Sequence, residues 1–235
     1  MKRKKLLGAV LVLAILAGAG VWVGLRLMKG PVPEGMPTLR PEGPEWLDLL
    51  DAAHAPNWKN VTDKKDLFEI KDGVLHIYGR MIPPLRYVGY TADTFGDFDL
   101  HIEYKVSRRA NSGVFLRVPV GESSLRGFEV QVLDDYGKPP SKNSSGSIYD
   151  VVTPMFNMSR PAGEWNSYDI SLRGREVIVI MNGWMVIHTD LAKMTKPLGK
   201  FKTPYAEMPL VGGFTLQDHG GEVWYRNIMI RKVNK

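Results

Sequence analysis

The chain has 235 residues, no cysteine and a formal net charge of +6. Without cysteine there is no disulfide framework, so a hydrophobic core must hold any exported domain together. Six of the 31 basic residues precede residue 30, and the first acidic residue is Glu34, which leaves 25 basic against 25 acidic side chains in residues 30–235. The basic excess therefore belongs to the N-terminal segment, and it does not indicate a nucleic-acid-binding surface.

The N-terminal segment, residues 1–28, begins MKRKK and continues with 20 uncharged residues from Leu6 to Leu25. As a helix this run would be about 30 Å long, enough to cross the apolar core of a bilayer. We expect an uncleaved membrane anchor; the alternative is a signal peptide cleaved after the small residues 17–19, which would leave a secreted domain. Four basic residues precede the run, so the N-terminus should stay in the cytoplasm. The sequence thus predicts a single-pass protein of a bacterial inner membrane with its domain on the periplasmic side.

Residues 29–45 are rich in Pro and Gly and predict an extended linker. From residue 46 to 235 the pattern predicts one all-β domain, an antiparallel β-sandwich of the jelly-roll type, because short strand-like runs alternate with turn signals. The predicted strands are 68–70, 74–78, 87–90, 98–106, 113–118, 128–133, 147–149, 165–172, 176–181, 184–189, 213–217 and 223–232. Asn182–Gly183 between two apolar runs is the strongest hairpin signal. The irregular stretches 136–146 and 191–209 are expected to be rim loops over a concave sheet.

Polar side chains recur on one face of three predicted strands. Successive side chains of a strand point to opposite faces. One face therefore carries Arg117 in GVFLR, Glu129 and Gln131 in FEVQVLD, and Gln217 and His219 in LQDHG. Such a row of polar groups fits a groove for a polyhydroxylated ligand.

Seven motifs occur in a fixed order: NSGVFLR (111–117), GFEVQVLDD (127–135), GSIYD (146–150), GEWNSYDI (163–170), NG (182–183), LQDHG (216–220) and VWYRNIMI (223–230). Together they resemble the 3-keto-disaccharide hydrolase domain, over roughly residues 45–233. The resemblance implies the fold of concanavalin A-like lectins and glucanases. It also implies an enzyme that cleaves 3-keto-glycosides, with a non-catalytic, lectin-like carbohydrate-binding module as the alternative.

The chemistry implied by the resemblance starts at the ketone. A carbonyl at C3 acidifies the proton on C2, so a base can remove it; the enolate then expels the anomeric oxygen, and water adds back. We expect Glu129 or His219 to serve as base and acid, and Arg117 to stabilise the enolate. The residues expected to bind the sugar are Gln131, Gln217, Asn111, Tyr149 and Asp150. A divalent cation such as Ca²⁺ is a second option for stabilising the enolate, although the sequence has no dedicated metal loop.

Two-carboxylate hydrolysis is disfavoured on the strand that contains Glu129. The glucanases of this fold use an ExDxxE-type pair of carboxylates on one strand. Here Gln131 occupies the place of the second carboxylate. A retaining glycosidase needs both groups.

Overall fold

The computed structural model describes residues 40–62, 66–79, 86–120 and 127–233. By its internal contacts the chain divides after Glu34, and every described residue belongs to the second unit, Gly35–Lys235. None of the helices in this described part is long and apolar enough to cross a bilayer. The run predicted to do so, residues 6–25, lies outside the described residues, and the anchor stays a prediction.

Strands dominate the described residues. The only helices among them are three single turns of 3-10 helix, at Ala55–Asn57, Leu191–Lys193 and Tyr205–Glu207. The strands are β1 (Leu47–Asp48), β2 (Trp58–Asn60), β3 (Phe68–Lys71), β4 (Val74–Ile77), β5 (Arg86–Phe95), β6 (Phe98–Val106), β7 (Asn111–Val118), β8 (Phe128–Leu133), β9 (Trp165–Arg173), β10 (Glu176–Met181), β11 (Trp184–Asp190), β12 (Gly212–Asp218) and β13 (Val223–Lys232).

The strands form two sheets. The larger has eight strands in the order β11-β10-β9-β6-β13-β4-β3, with β1 also paired to β13; the smaller has the order β2-β5-β12-β7-β8. Every pairing between these described strands is antiparallel. The prediction of an all-β antiparallel sandwich is therefore confirmed.

The core lies between the two sheets and uses alternate residues of each strand. Val114 and Leu116 of β7 and Ile102 of β6 are almost completely buried. Two tyrosines bring polar atoms into this core: the Tyr104 hydroxyl donates to the Tyr168 hydroxyl at 3.1 Å, and Tyr168 donates to the main-chain oxygen of Gln131 at 2.6 Å. This chain of hydrogen bonds ties the backbone of β8 to the opposite sheet and so fixes the strand that contains Glu129.

Eleven of the twelve predicted strands are present, and the exceptions have local causes. Residues 147–149 do not form a strand, because Ile148 makes only isolated bridges to Val130 and Val152. Strands β1 and β2 were missed because each has too few residues to show an alternation. The Asn182–Gly183 hairpin is confirmed: both residues have positive φ, at 50° and 83°, and Met181 pairs with Trp184.

A β-bulge at Arg117 changes the face of the strand beyond it. Phe214 pairs with Leu116 while Gly213 pairs with Val118, so Arg117 has no partner in β12. Its φ of 56° is left-handed. Gly212 lies against this bulge, and a Cβ there would come within 2.4 Å of the Arg117 carbonyl carbon. The extra residue reverses the alternation, and Val118 joins Phe115 on the same face.

Candidate functional site

The site is built on the outer face of the smaller sheet, away from the inter-sheet core. Residue pairing places Phe115 opposite both Glu129 and Thr215, and Gly113 opposite Gln131. These side chains therefore share one face. Gly113 is required here because a Cβ would lie 2.4 Å from Glu129 Oε1 and 2.8 Å from its Cγ. The glutamate side chain thus lies directly over the β7 backbone.

Glu129 is a buried carboxylate with one cationic partner. Only 3% of its side chain is exposed, and Lys200 Nζ lies 2.6 Å from Oε2. Burial raises the pKa of Glu129, because removal from water disfavours the charged form, and the charge and hydrogen bond of Lys200 oppose this rise. A carboxylate with a raised pKa is a stronger base than an ordinary surface glutamate.

Lys200 comes from the long loop between β11 and β12, here called the 191–211 loop. Its Nζ lies 4.6 Å from the ring centre of Tyr149, 5.2 Å from Phe115 and 5.4 Å from Phe201. The faces of aromatic rings attract a cation. These rings and the carboxylate hold the ammonium over Glu129, although about a third of the Lys200 side chain remains exposed.

A chain of side-chain amides leads from Gln131 to His219. Gln131 Nε2 donates to Asn111 Oδ1 at 3.4 Å, and Asn111 Nδ2 donates to His219 Nδ1 at 2.7 Å. With this amide orientation, Nδ1 of the imidazole is an acceptor and Nε2 carries the proton. Burial and the charge of Lys200 lower the pKa of His219. His219 is therefore a neutral imidazole at pH 7, and its Nε2–H has no hydrogen-bond partner among the residues that the structure describes.

Glu129 and His219 lie on the same face but do not contact each other. One strand, β7, lies between β8 and the end of β12, and the register displaces the two residues by about four positions along the strands, so their backbones are about 16 Å apart. No hydrogen bond joins their side chains in the described residues. They do not form a direct acid–base pair, and each would meet a different part of a bound sugar.

The predicted role of Arg117 in stabilising an enolate is not supported by its position. Because of the bulge, its guanidinium points away from Glu129. It donates to the Gly96 carbonyl from Nε at 3.2 Å and Nη2 at 2.8 Å, and to the Gly174 carbonyl from Nη1 at 2.5 Å. Burial lowers the pKa of Arg117 to about 10, which still leaves it a cation at neutral pH. Arg117 therefore joins turns at the edges of the two sheets.

The remaining predicted ligand-binding residues lie at different depths. Tyr149 is at the site, since its amide donates to the Glu129 carbonyl at 2.9 Å and its ring faces Lys200. Gln217 pairs with Tyr87 and shares the face of Thr215, and it is buried. Asp150 is at the rim, where it forms an ion pair with Lys142 and lies beside Gly199.

Three further residues belong to the site, and sequence reasoning missed them: Lys200, Thr215 and Tyr205. The Thr215 and Tyr205 hydroxyls are buried and have no hydrogen-bond partner among the described residues. Burial raises the pKa of Tyr205, and the nearby charges of Glu129 and Asp150 raise it further, so it stays a neutral donor. Thr215 follows the same alternation as Gln217, a signal that could have identified it; the two loop residues have no such periodicity.

The donor set does not fit a metal ion. Across the described ranges, no group of three or more His, Cys, Asp or Glu side chains is arranged to hold one. Glu129 has a lysine beside it, and an ammonium there would repel a divalent cation.

A second carboxylate, Glu103, lies beside a cleft of about 260 Å³ on the larger sheet. It accepts from Arg226 Nε at 2.7 Å and Asn227 Nδ2 at 2.6 Å. Although burial acts to raise the pKa of Glu103, the nearby His101 and the hydrogen bonds from Asn227 and Arg226 lower it to about 2. A carboxylate so fully hydrogen-bonded is a poor base, which leaves Glu129 as the better candidate.

Comparisons with known proteins identify the family and the fold. The chain is 30% identical over 176 residues to a 3-keto-disaccharide hydrolase of Bacteroides thetaiotaomicron; the match covers 61% of each protein. A crystal structure of a provisionally named glycosyl hydrolase from Parabacteroides distasonis is 26% identical with a TM-score of 0.69, covering 80% of this chain and 99% of that one. An endo-beta-1,3(4)-glucanase at 11% identity and a TM-score of 0.51, covering 88% and 99%, shares the fold alone. The model of the 3-keto-alpha-glucoside-1,2-lyase-like domain matches residues 45–231. The chain therefore belongs to the 3-keto-alpha-glucoside-1,2-lyase-like domain family.

Proposed function

We propose that this domain cleaves the glycosidic bond of 3-keto-glycosides by elimination followed by hydration, with Glu129 as the base. The observation that supports this proposal most directly is a buried glutamate with a raised pKa. On its face of the sheet, the described strands β7, β8 and β12 present no other carboxylate. Elimination next to a ketone needs one base, whereas ordinary retaining hydrolysis needs two carboxyl groups about 5 Å apart.

In this mechanism Glu129 takes the proton from C2, and the electron pair of the C–H bond forms the enolate of the C3 ketone. The enolate then restores the C3 carbonyl while a double bond forms between C1 and C2 and the bond from C1 to the glycosidic oxygen breaks. The leaving oxygen takes the proton that Glu129 received. Water finally adds at C1, and a proton returns to C2. One carboxyl group can thus serve first as base and then as acid.

His219 is better suited to binding than to acid catalysis. Its lowered pKa leaves it neutral at pH 7, and the hydrogen bond from Asn111 directs its Nε2–H outward. It would donate to a hydroxyl or carbonyl oxygen of the sugar. The buried hydroxyl of Thr215 and the amide of Gln217 lie on the same face and would complete the polar contacts.

The direct test is incubation of the purified domain with a 3-keto-disaccharide and, separately, with the unoxidised disaccharide. We expect release of the leaving sugar from the ketone only. Glu129→Gln should abolish turnover while substrate binding is retained, because the amide keeps the shape but is not a base. Glu176→Gln, whose side chain is half exposed and pairs with His188, is the matched control and should keep full activity.

The alternative, a lectin-like binding module, gives a different result in the same experiment. It predicts binding of the unoxidised disaccharide, no turnover of either sugar, and no loss of binding specific to Glu129→Gln. Absence of turnover by the wild-type protein would contradict the proposed elimination.

We also propose that the domain is exported and stays anchored to the inner membrane through residues 6–25. This rests on the uncharged 20-residue run after four basic residues and on the zero formal charge of residues 30–235. Protease added to spheroplasts should remove the domain. A domain protected from that protease would contradict the proposal, and a domain found in the culture medium or free in the periplasm would favour the cleaved signal.

A further inference from the structure

We infer that Lys200 is the catalytic group that stabilises the enolate, and that it also covers Glu129 until the substrate ketone draws it away. The inference rests on the proposed function. It gives Lys200, a residue of the 191–211 loop, the role of stabilising the enolate that the sequence suggested for Arg117.

The first argument is access. Only 3% of the Glu129 side chain is exposed, and Lys200 Nζ occupies the hydrogen-bonding position at Oε2. A proton on a sugar carbon has to come within hydrogen-bond reach of that oxygen. The other oxygen, Oε1, lies against the backbone of Gly113. The ammonium has to leave Oε2 before a substrate proton can reach the carboxylate. Lys200 is able to move, since about a third of its side chain is exposed and residues 194–204 around it form no helix or strand.

The second argument is charge. When C2 loses its proton, negative charge develops on the C3 oxygen, and a cation near that oxygen lowers the barrier. The Lys200 ammonium lies within a hydrogen bond of the base. C2 and the C3 oxygen are separated by only two bonds, so a proton bound for Glu129 and an oxygen facing Lys200 are compatible in one pose. Arg117, in contrast, directs its guanidinium to the main-chain carbonyls of Gly96 and Gly174 and to the carboxylate of Asp97.

The third argument is that the shift of the Lys200 ammonium favours the proton transfer to Glu129. Lys200 lowers the pKa of Glu129, whereas burial raises it. When the ammonium shifts from the carboxylate to the ketone oxygen, Glu129 loses its neutralising partner at the moment it is needed as a base. The proton goes from C2 to Glu129, and the electron pair goes to the enolate oxygen, which accepts a hydrogen bond from Lys200. The lysine itself neither gains nor loses a covalent bond.

The rings of Tyr149, Phe115 and Phe201 form a cation–π site for the ammonium after it leaves the carboxylate. Each ring centre lies within 5.4 Å of Nζ, so the cation keeps favourable contacts as it leaves the carboxylate. Among the described residues, the charge of Glu129 acts on Lys200, Tyr205 and Tyr225, and the charge of Lys200 acts on His219. Tyr149 lies beside Lys200, and Asp150 lies beside Gly199. Of these, only Lys200 forms an ion pair with the carboxylate in the described residues.

The test compares Lys200→Met with Lys202→Met, a control that removes an exposed lysine two residues along the same loop. With a 3-keto-disaccharide, we expect Lys200→Met to lose roughly 100-fold or more in kcat, as for removal of one oxyanion-stabilising donor, while KM changes little. The acid limb of its residual kcat/KM profile should move to higher pH, because Glu129 loses the charge that lowers its pKa. Added propylammonium should restore part of the activity of Lys200→Ala. Lys202→Met should behave as wild type.

Other outcomes would overturn the inference. Full kcat in Lys200→Met, with a change in KM alone, would make Lys200 a cover without a chemical role. A covalent adduct at Lys200 after borohydride treatment of the wild-type protein with substrate would show an imine in place of a hydrogen-bonding ammonium. If Lys200→Met turns over the substrate as fast as wild type, this inference is wrong and the proposed function stands. If neither wild type nor Lys202→Met turns over the substrate, the proposed function is wrong, and this inference is wrong with it.

Discussion

Replacing Arg117 by methionine separates its observed structural role from the catalytic role that its sequence position suggested. The guanidinium makes three hydrogen bonds to two main-chain carbonyls, of Gly96 and Gly174, and a longer contact of 3.4 Å with Asp97 Oδ1. Methionine has a similar length and leaves both carbonyls without this donor. We expect a less stable protein whose folded fraction keeps its turnover of a 3-keto-glycoside.

The magnitude follows from these contacts. A hydrogen bond to a charged group contributes about 1.5–3 kcal/mol, but the two bonds to Gly96 share one acceptor and the methionine side chain recovers some apolar contact. We therefore expect the free energy of unfolding to fall by about 3 kcal/mol. For a domain of this size each kcal/mol lowers Tm by about 2–4 °C, so Tm should drop by about 6–12 °C.

Thermal and urea unfolding would give the stability, and kcat/KM measured well below the lowered Tm would give the activity. Arg40→Met is the matched control, because the Arg40 side chain is half exposed and its ion pair with Asp48 is expected to contribute at most about 1 kcal/mol. Wild-type stability combined with a loss of turnover of about 100-fold in Arg117→Met would refute the structural role and return Arg117 to the chemistry.

Three further predictions test the site and the larger sheet. Gly113→Ala should reduce turnover about 100-fold or more, because its Cβ would meet Glu129 Oε1 at 2.4 Å and displace the carboxylate. A loss of this size is expected when a general base is no longer positioned. Turnover at the wild-type rate would show that Glu129 needs no fixed position. Thr215→Val should fold as stably as wild type, since the buried hydroxyl has no partner among the described residues. Sugar binding should weaken by about 3- to 10-fold, because the variant loses one hydrogen bond to the ligand. Isothermal titration calorimetry in the Glu129→Gln background would measure the affinity, and an unchanged affinity would place the sugar elsewhere. His101 is buried between Asp169 and Glu103. Although burial acts to lower its pKa, the hydrogen bond to Asp169 at 2.7 Å and the nearby charge of Glu103, 3.8 Å away, raise the pKa from 6.5 to about 9. Its stabilising contribution is therefore complete below pH 6.5 and lost as pH rises through about 9, so urea unfolding should show a decline of the order of 2 kcal/mol across that range that is absent in His101→Gln.

The sequence by itself determined the fold class and most of the strands, because the alternation of apolar and polar residues is a local property of each strand. It also located Glu129 and Gln131 on the outer face and Val130 on the inner one, since β8 is regular along its whole length. The Asn182–Gly183 hairpin was likewise predictable, because both residues tolerate positive φ.

Only the tertiary structure decided which polar groups meet Glu129. A single extra residue at Arg117 turns its side chain away from the face that strict alternation assigned to it, and no local pattern marks that bulge. Lys200 reaches Glu129 across 71 residues of sequence from an irregular loop, where no periodicity gives its direction. Strand alternation fixes the face of a residue from its neighbours, but contacts between a loop and a sheet depend on where the whole chain folds, and that information is not local.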